Sequence, residues 1–144
     1  MCSSDLPLAR TAARRRAVFD DASEAFRSYE GRGAFRTWPS MVLADYLAGG
    51  LKERVDGKVE LACAPAWEAS NYAAQAHDPW RAVKRVKAPV RILKAEKHST
   101  CMAGDGFARR GRDVRIETIA GTSHFLPMER PDVVRDALFD MATG

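Results

Sequence analysis

Between Arg10 and Trp80 the apolar positions fall mostly at helical spacing, and the stretch is rich in aromatics. Asp21 and Ser23 offer caps to a short helix through Glu24, Phe26 and Tyr29, because a short oxygen-bearing side chain ahead of the first turn accepts from amides that lack an intrahelical partner. Gly31 and Gly33 end that segment. Pro39 suits a first helical position, where a missing N–H costs nothing. Val42, Leu43, Tyr46 and Leu47 then repeat every three or four residues until Gly49-Gly50 stops the pattern. Asp56-Gly57 marks a tight turn, and Ala64 to Gln75 predicts a further helix carrying Trp67. His77-Asp78-Pro79-Trp80 predicts another helix start, with Asp78 as cap, Pro79 in the first turn and a structural role for His77.

The period changes in the second half. Pro89-Val90-Arg91-Ile92-Leu93 and Val114-Arg115-Ile116-Glu117-Thr118-Ile119 are short β-branched runs, with a helix predicted between them near Asp105 to Arg110. A last helix opens at Pro131 and places Val134, Leu138 and Met141 on one face. Strands alternating with helices predict a parallel sheet with right-handed crossovers. Two strands cannot build such a sheet alone, so this half is expected to be the edge of something larger.

Composition narrows the classes. With 144 residues and 46% hydrophobic content there is core enough for one ordinary domain, and 29% charged residues with aromatics spread along the chain exclude a disordered segment. No apolar run approaches the roughly 18 residues of a membrane-spanning helix, so a membrane is not an expected partner. The balance of 23 basic and 19 acidic residues, a net +4, is mild for a nucleic-acid binder. Arg14-Arg15-Arg16 and the series Arg81, Lys84, Arg85, Lys87 read as solvated helix faces rather than phosphate contacts. Cys2, Cys63 and Cys101 stand too far apart for a disulfide framework or a zinc-binding pair, which makes a reducing cytoplasm the default compartment; with no cationic or histidine pairing beyond nearby His98, Cys101 reads as a packing residue. The opening MCSSDL lacks the layout of a signal peptide. It also matches the translation of a sequencing-adapter tail (TGC TCT TCC GAT CT), so residues 1–6 are expected to be an artefact and the chain a gene fragment beginning near Pro7.

The strongest chemical signal is Gly121-Thr122-Ser123-His124-Phe125-Leu126-Pro127-Met128-Glu129-Arg130-Pro131. Residues just past the carboxyl end of a strand line the ligand crevice of open parallel sheets, and His124 stands there. The run from Pro89 to His98, followed about twenty residues later by a second strand and this loop, resembles the C-terminal end of the α/β-hydrolases from about Lys87 onward, most specifically over residues 121 to 131. The resemblance implies an α/β fold with two parallel strands and flanking helices over residues 87–144, preceded over residues 7–86 by a helical cap, in a truncated chain. It implies hydrolysis of an ester, a lactone or a related small, largely apolar substrate through a covalent intermediate, without metal or organic cofactor. His124 matches the general base, since in that family nucleophile, acid and histidine follow in chain order.

Two departures bear on the mechanism. The G-x-S-x-G turn that would hold the nucleophile is absent, so the chain alone is expected to be inactive. Where the family typically reads Gly-Glu-x-Asp, this chain reads Ala95-Glu96-Lys97-His98. The acid of the triad is therefore Glu96, or a carboxylate on an earlier strand that this chain lacks, or missing. Ser123 is expected to bond the local backbone rather than act as nucleophile. Nine of the twelve aromatics lie between Phe19 and Trp80, which suits either a lid over an apolar pocket or a small helical core. The alternative function is a small non-catalytic binding module using those aromatics and the basic segments. The substrate, the exact bond cleaved and the oligomeric state are not legible.

Overall fold

A computed structural model describes residues 5–73, 78–104, 106 and 113–143. Contacts gather into two units, Met1–Ala76 and His77–Gly144, taken in turn below.

In the first unit, α1 (Asp5–Ala13) packs along α4 (Pro65–Ala73), with Ala12 buried on α1. Helix α2 (Ala22–Tyr29) starts as its sequence predicts: Asp21 Oδ1 accepts from the Glu24 amide at 2.7 Å, and Glu24 Oε2 reaches back to the Asp20 amide at 2.7 Å. A 3₁₀ turn over Gly33–Phe35 leads to α3 (Ser40–Gly50), which buries Leu43 and Leu47. Pro39 is the residue before the first helical turn rather than in it, at φ −57° and ψ 140°.

Three short strands were not predicted. Among the described residues β1 (Val18–Phe19), β2 (Leu51–Glu53) and β3 (Val59–Leu61) form an antiparallel sheet in the order β1-β3-β2. The Asp56-Gly57 turn closes the β2–β3 hairpin: the Lys58 amide donates to Asp56 Oδ1 at 3.2 Å, and Gly57 takes the left-handed φ of +78° that a side chain would resist. Phe19, Ala25, Leu43, Leu47 and Leu61 make the core. Around it the aromatics pack on one another: Phe19 edge-on to Tyr29 at 5.7 Å, Tyr29 stacked on Phe35 at 4.6 Å, and Trp38 edge-on to Tyr46 at 5.4 Å. Trp67 lies outside this cluster and is exposed.

The basic run after α1 departs from expectation in part: the helix ends at Ala13 and Arg14 is exposed, but Arg15 and Arg16 lie over aromatic rings. Half-buried Arg15 donates to Glu68 at 2.8 Å and to the Tyr29 hydroxyl at 3.0 Å, and Arg16 lies over the Phe19 ring at 4.6 Å while pairing with Glu24. Burial acts to lower the Arg15 pKa, but the bonds to Tyr29 and Glu68 outweigh it and hold it above its ordinary value.

In the second unit, Asp78 caps α5 (Pro79–Arg85) by accepting from the Arg81 amide at 3.0 Å. His77 and nearly all of the helix predicted over Asp105 to Arg110 lie outside the described residues. Strands β4 (Val90–Ala95) and β5 (Val114–Ile119) pair in parallel, Val90 opposite Val114 and Ala95 opposite Ile119. After β5 come the single turn α6 (Leu126–Glu129) and the long α7 (Pro131–Thr143). Ala95, Ile119 and Leu126 are buried together, with Leu93, Val133 and Val134 packed against them. The α7 strip facing inward is thus Val133, Val134 and Ala137, about one position round from the predicted face, and Leu138 and Met141 stay exposed. Arg91 ties the layers together, donating to Glu117 of β5 at 3.0 Å and to Asp140 of α7 at 2.9 Å.

The start of α7 is an electrostatic clamp. Hydrogen bonds from Arg130 hold the Asp132 carboxyl down at about 2, against an ordinary 3.8. The depressed value means that the stabilising effect of this contact is complete above about pH 3.8 and is lost as pH falls through 2. A carboxyl-carbon NMR titration should place the Asp132 midpoint near 2, and Arg130→Gln should return it toward 3.8.

Candidate active site

Because β4 and β5 are parallel and in register, Ala95 and Ile119 end their strands at the same level and the two following loops emerge side by side. Three links join them. The Gly121 amide donates to Glu96 Oε2 at 2.9 Å, the Lys97 amide donates to the Thr122 carbonyl at 2.9 Å, and Thr100 Oγ1 lies 3.0 Å from His124 Nδ1.

The loop that carries His124 is braced from within. Gly121 turns it at φ +74°; a Cβ there would meet nothing within 4 Å, so the requirement for glycine is conformational rather than spatial. Thr122 is buried and donates from its hydroxyl to the Ile119 carbonyl at 2.7 Å. The Glu129 carboxylate grips Ser123 twice, accepting its amide at 2.6 Å and its hydroxyl at 2.5 Å. The Phe125 amide donates to Ser123 Oγ at 3.3 Å, which is the local backbone bond expected of this serine. His124 itself is exposed, its ring tilted against Phe125 at a centroid distance of 5.1 Å, and its Nε2 makes no hydrogen bond among the described residues.

Both sequence-predicted site residues therefore reach the same loop pair, but the partner of the His124 ring is Thr100, while Glu96 is bonded to the Gly121 amide. His98, which occupies the position of the family's carboxylate, is exposed at a left-handed φ of +51°. Thr100 and Glu129 are the residues that the sequence reading missed. Glu129 sits inside the quoted motif, and its spacing from Ser123 across the α6 turn was the available signal; nothing local marks Thr100. A cleft of about 360 Å³ opens beside the imidazole, floored by Leu93, Ala95, Leu126 and Val134, with half-buried Cys101 on its wall. A second cavity, about 490 Å³, lies within the first unit against Phe26, Leu47, Leu51 and Val59, and no histidine or cysteine lines it. Among the described residues no group of three or more His, Cys, Asp or Glu side chains could hold a metal ion, and no helix is long and apolar enough to cross a membrane.

No protein-family model and no curated protein matches the chain. Solved structures do. E-2-(acetamidomethylene)succinate hydrolase superposes with a TM-score of 0.77 at 20% identity, over 99% of this chain and 53% of its own. A peroxisomal α/β-hydrolase of Saccharomyces cerevisiae gives 0.72 at 17% identity, over 96% of this chain and 40% of its own. The chain carries the C-terminal part of the α/β-hydrolase fold. An esterase of M. tuberculosis also shares it, with a TM-score of 0.65 at 13% identity over 94% of this chain and 48% of its own. The chain spans about half the length, or less, of these α/β-hydrolase-fold structures.

Proposed function

We propose that this chain is the histidine-bearing portion of an α/β-hydrolase, with His124 as the general base of ester, lactone or related hydrolysis. The observation that carries this reading is the placement of His124. An exposed imidazole stands beyond the carboxyl ends of two parallel strands, on a loop fixed by Gly121, Ser123 and Glu129, with Nδ1 engaged, Nε2 without a hydrogen bond among the described residues, and the cleft beside the ring. In that role Nε2 takes the proton of a nucleophile as it attacks the carbonyl carbon and returns it to the leaving group. Water then releases the acyl group by the same route in reverse. The nucleophile and the donors that stabilise the oxyanion come from polypeptide outside these 144 residues. Glu96 braces the loop through the Gly121 amide, and the acid of the triad is either Glu96 or a carboxylate on an earlier strand, or is missing. That the solved structures sharing the fold include named hydrolases and an esterase supports the class of reaction.

The test begins with the source DNA. Reading 5′ of the Pro7 codon should give an in-frame G-x-S-x-G, and the extended protein should hydrolyse activated esters and label covalently with a fluorophosphonate. A genuine start codon there, with no such motif, would overturn the proposal in favour of a binding module. Residues 7–144 alone should turn over no activated ester. Turnover that survives purification and vanishes with Ser99→Ala or Ser123→Ala would equally sink the assignment, because the nucleophile would then lie within the chain.

A further inference from the structure

The contact on His124 Nδ1 has a chemistry of its own. Thr100 Oγ1 stands 3.0 Å from that nitrogen, and both groups are exposed, so neither was driven together by burial. What places them is the sheet. Ala95 pairs with Ile119 at the ends of the strands, and the loops that follow are tied to each other by the Gly121 amide on Glu96 and the Lys97 amide on the Thr122 carbonyl, which brings Thr100 to the ring. Thr100 reaches His124 across this pair of linked loops.

Resting on the reading of His124 as a base, we infer that Thr100 is its positioning residue: Oγ1 accepts the proton on Nδ1, which fixes the ring plane and leaves the lone pair on Nε2 facing the cleft. A neutral imidazole has one donor and one acceptor nitrogen, so a partner that accepts at Nδ1 selects the tautomer able to accept at Nε2. A hydroxyl suits this, because it accepts while its own hydrogen turns to solvent. The threonine thereby supplies the orientation that a carboxylate supplies in a Ser-His-Asp triad, without the negative charge that would stabilise an imidazolium.

The inference can be tested on this chain without any nucleophile. Nitrogen-15 correlation spectra of the imidazole at about pH 8, where a histidine is neutral, report the tautomer directly. His124 should be mainly Nδ1-protonated. Thr100→Val, which keeps the shape and removes the acceptor, should lower that population several-fold with the backbone amide spectrum otherwise unchanged. Thr100→Ser should restore it. A wild-type ring protonated mainly at Nε2, or a Thr100→Val ring with an unaltered tautomer ratio, would overturn the assignment. Because the wild-type spectrum alone can do so, the test does not depend on the variant folding. If hydrolysis fails while the tautomer result holds, the orienting contact is real and the reaction assigned to the histidine is wrong.

Discussion

Replacing His124 by alanine in the complete reading frame should lower kcat by about 10⁴-fold or more, the scale of loss when a member of a nucleophile-histidine-acid unit is removed. The melting temperature should hardly move. The imidazole is exposed, and its contacts are a hydroxyl and one neighbouring ring tilted against it, a setting in which substitutions cost within about 0.5 kcal/mol. Ser123→Ala should show the reverse balance. It removes the hydroxyl held by Glu129 and the acceptor of the Phe125 amide, so the loop loosens and stability drops, while turnover falls far less than with His124→Ala. Steady-state kinetics and thermal unfolding of both variants make the comparison. A His124→Ala enzyme with ordinary turnover, or one that fails only because it unfolds, would reduce the histidine to a loop residue.

Phe19→Ala should cost about 3–5 kcal/mol, the range for emptying a buried aromatic site. Phe19 is 1% exposed, in the core with Ala25, Leu43, Leu47 and Leu61, edge-on to Tyr29 and covered by Arg16. Removing the ring leaves a cavity and also strands the guanidinium that lay on it, and the neighbouring rings are too rigid to collapse into the gap. A loss of that size is comparable with the whole stability of a small domain, so the first unit should be largely unfolded at 37 °C. Urea titration followed by fluorescence of Trp38, which packs on Phe35 and Tyr46, would report it. A cost below about 1 kcal/mol would mean that the aromatic cluster is not what holds this unit together.

Local signals were read well where a short stretch decides its own conformation. The β5 run Val114–Ile119 is a strand over the residues predicted, α7 opens at Pro131, and Asp21 and Asp78 cap their helices. The sheet of the first unit was illegible for the opposite reason. Its strands are two or three residues long, too short to show a period, and Val18 finds Glu60 across more than forty residues of chain. Arg15 and Arg16 were misjudged because a basic run looks solvated until a tyrosine, a glutamate and a phenylalanine from other elements are folded against it. At the site, His124 announced itself through its motif. Thr100 did not, since an exposed threonine is ordinary and its contact with the ring is made only when two loops 24 residues apart are folded together.

The three links between them make the two loops after β4 and β5 one unit of heredity. A residue inserted between Ala95 and Thr100 would slide the hydroxyl off the ring without touching the histidine motif, and one inserted between Ile119 and His124 would do the same from the other side. Length changes in either loop are therefore tolerable only in step with the other. In a lineage that keeps this pair, variation at 96, 97 and 100 should track variation at 121, 122 and 124.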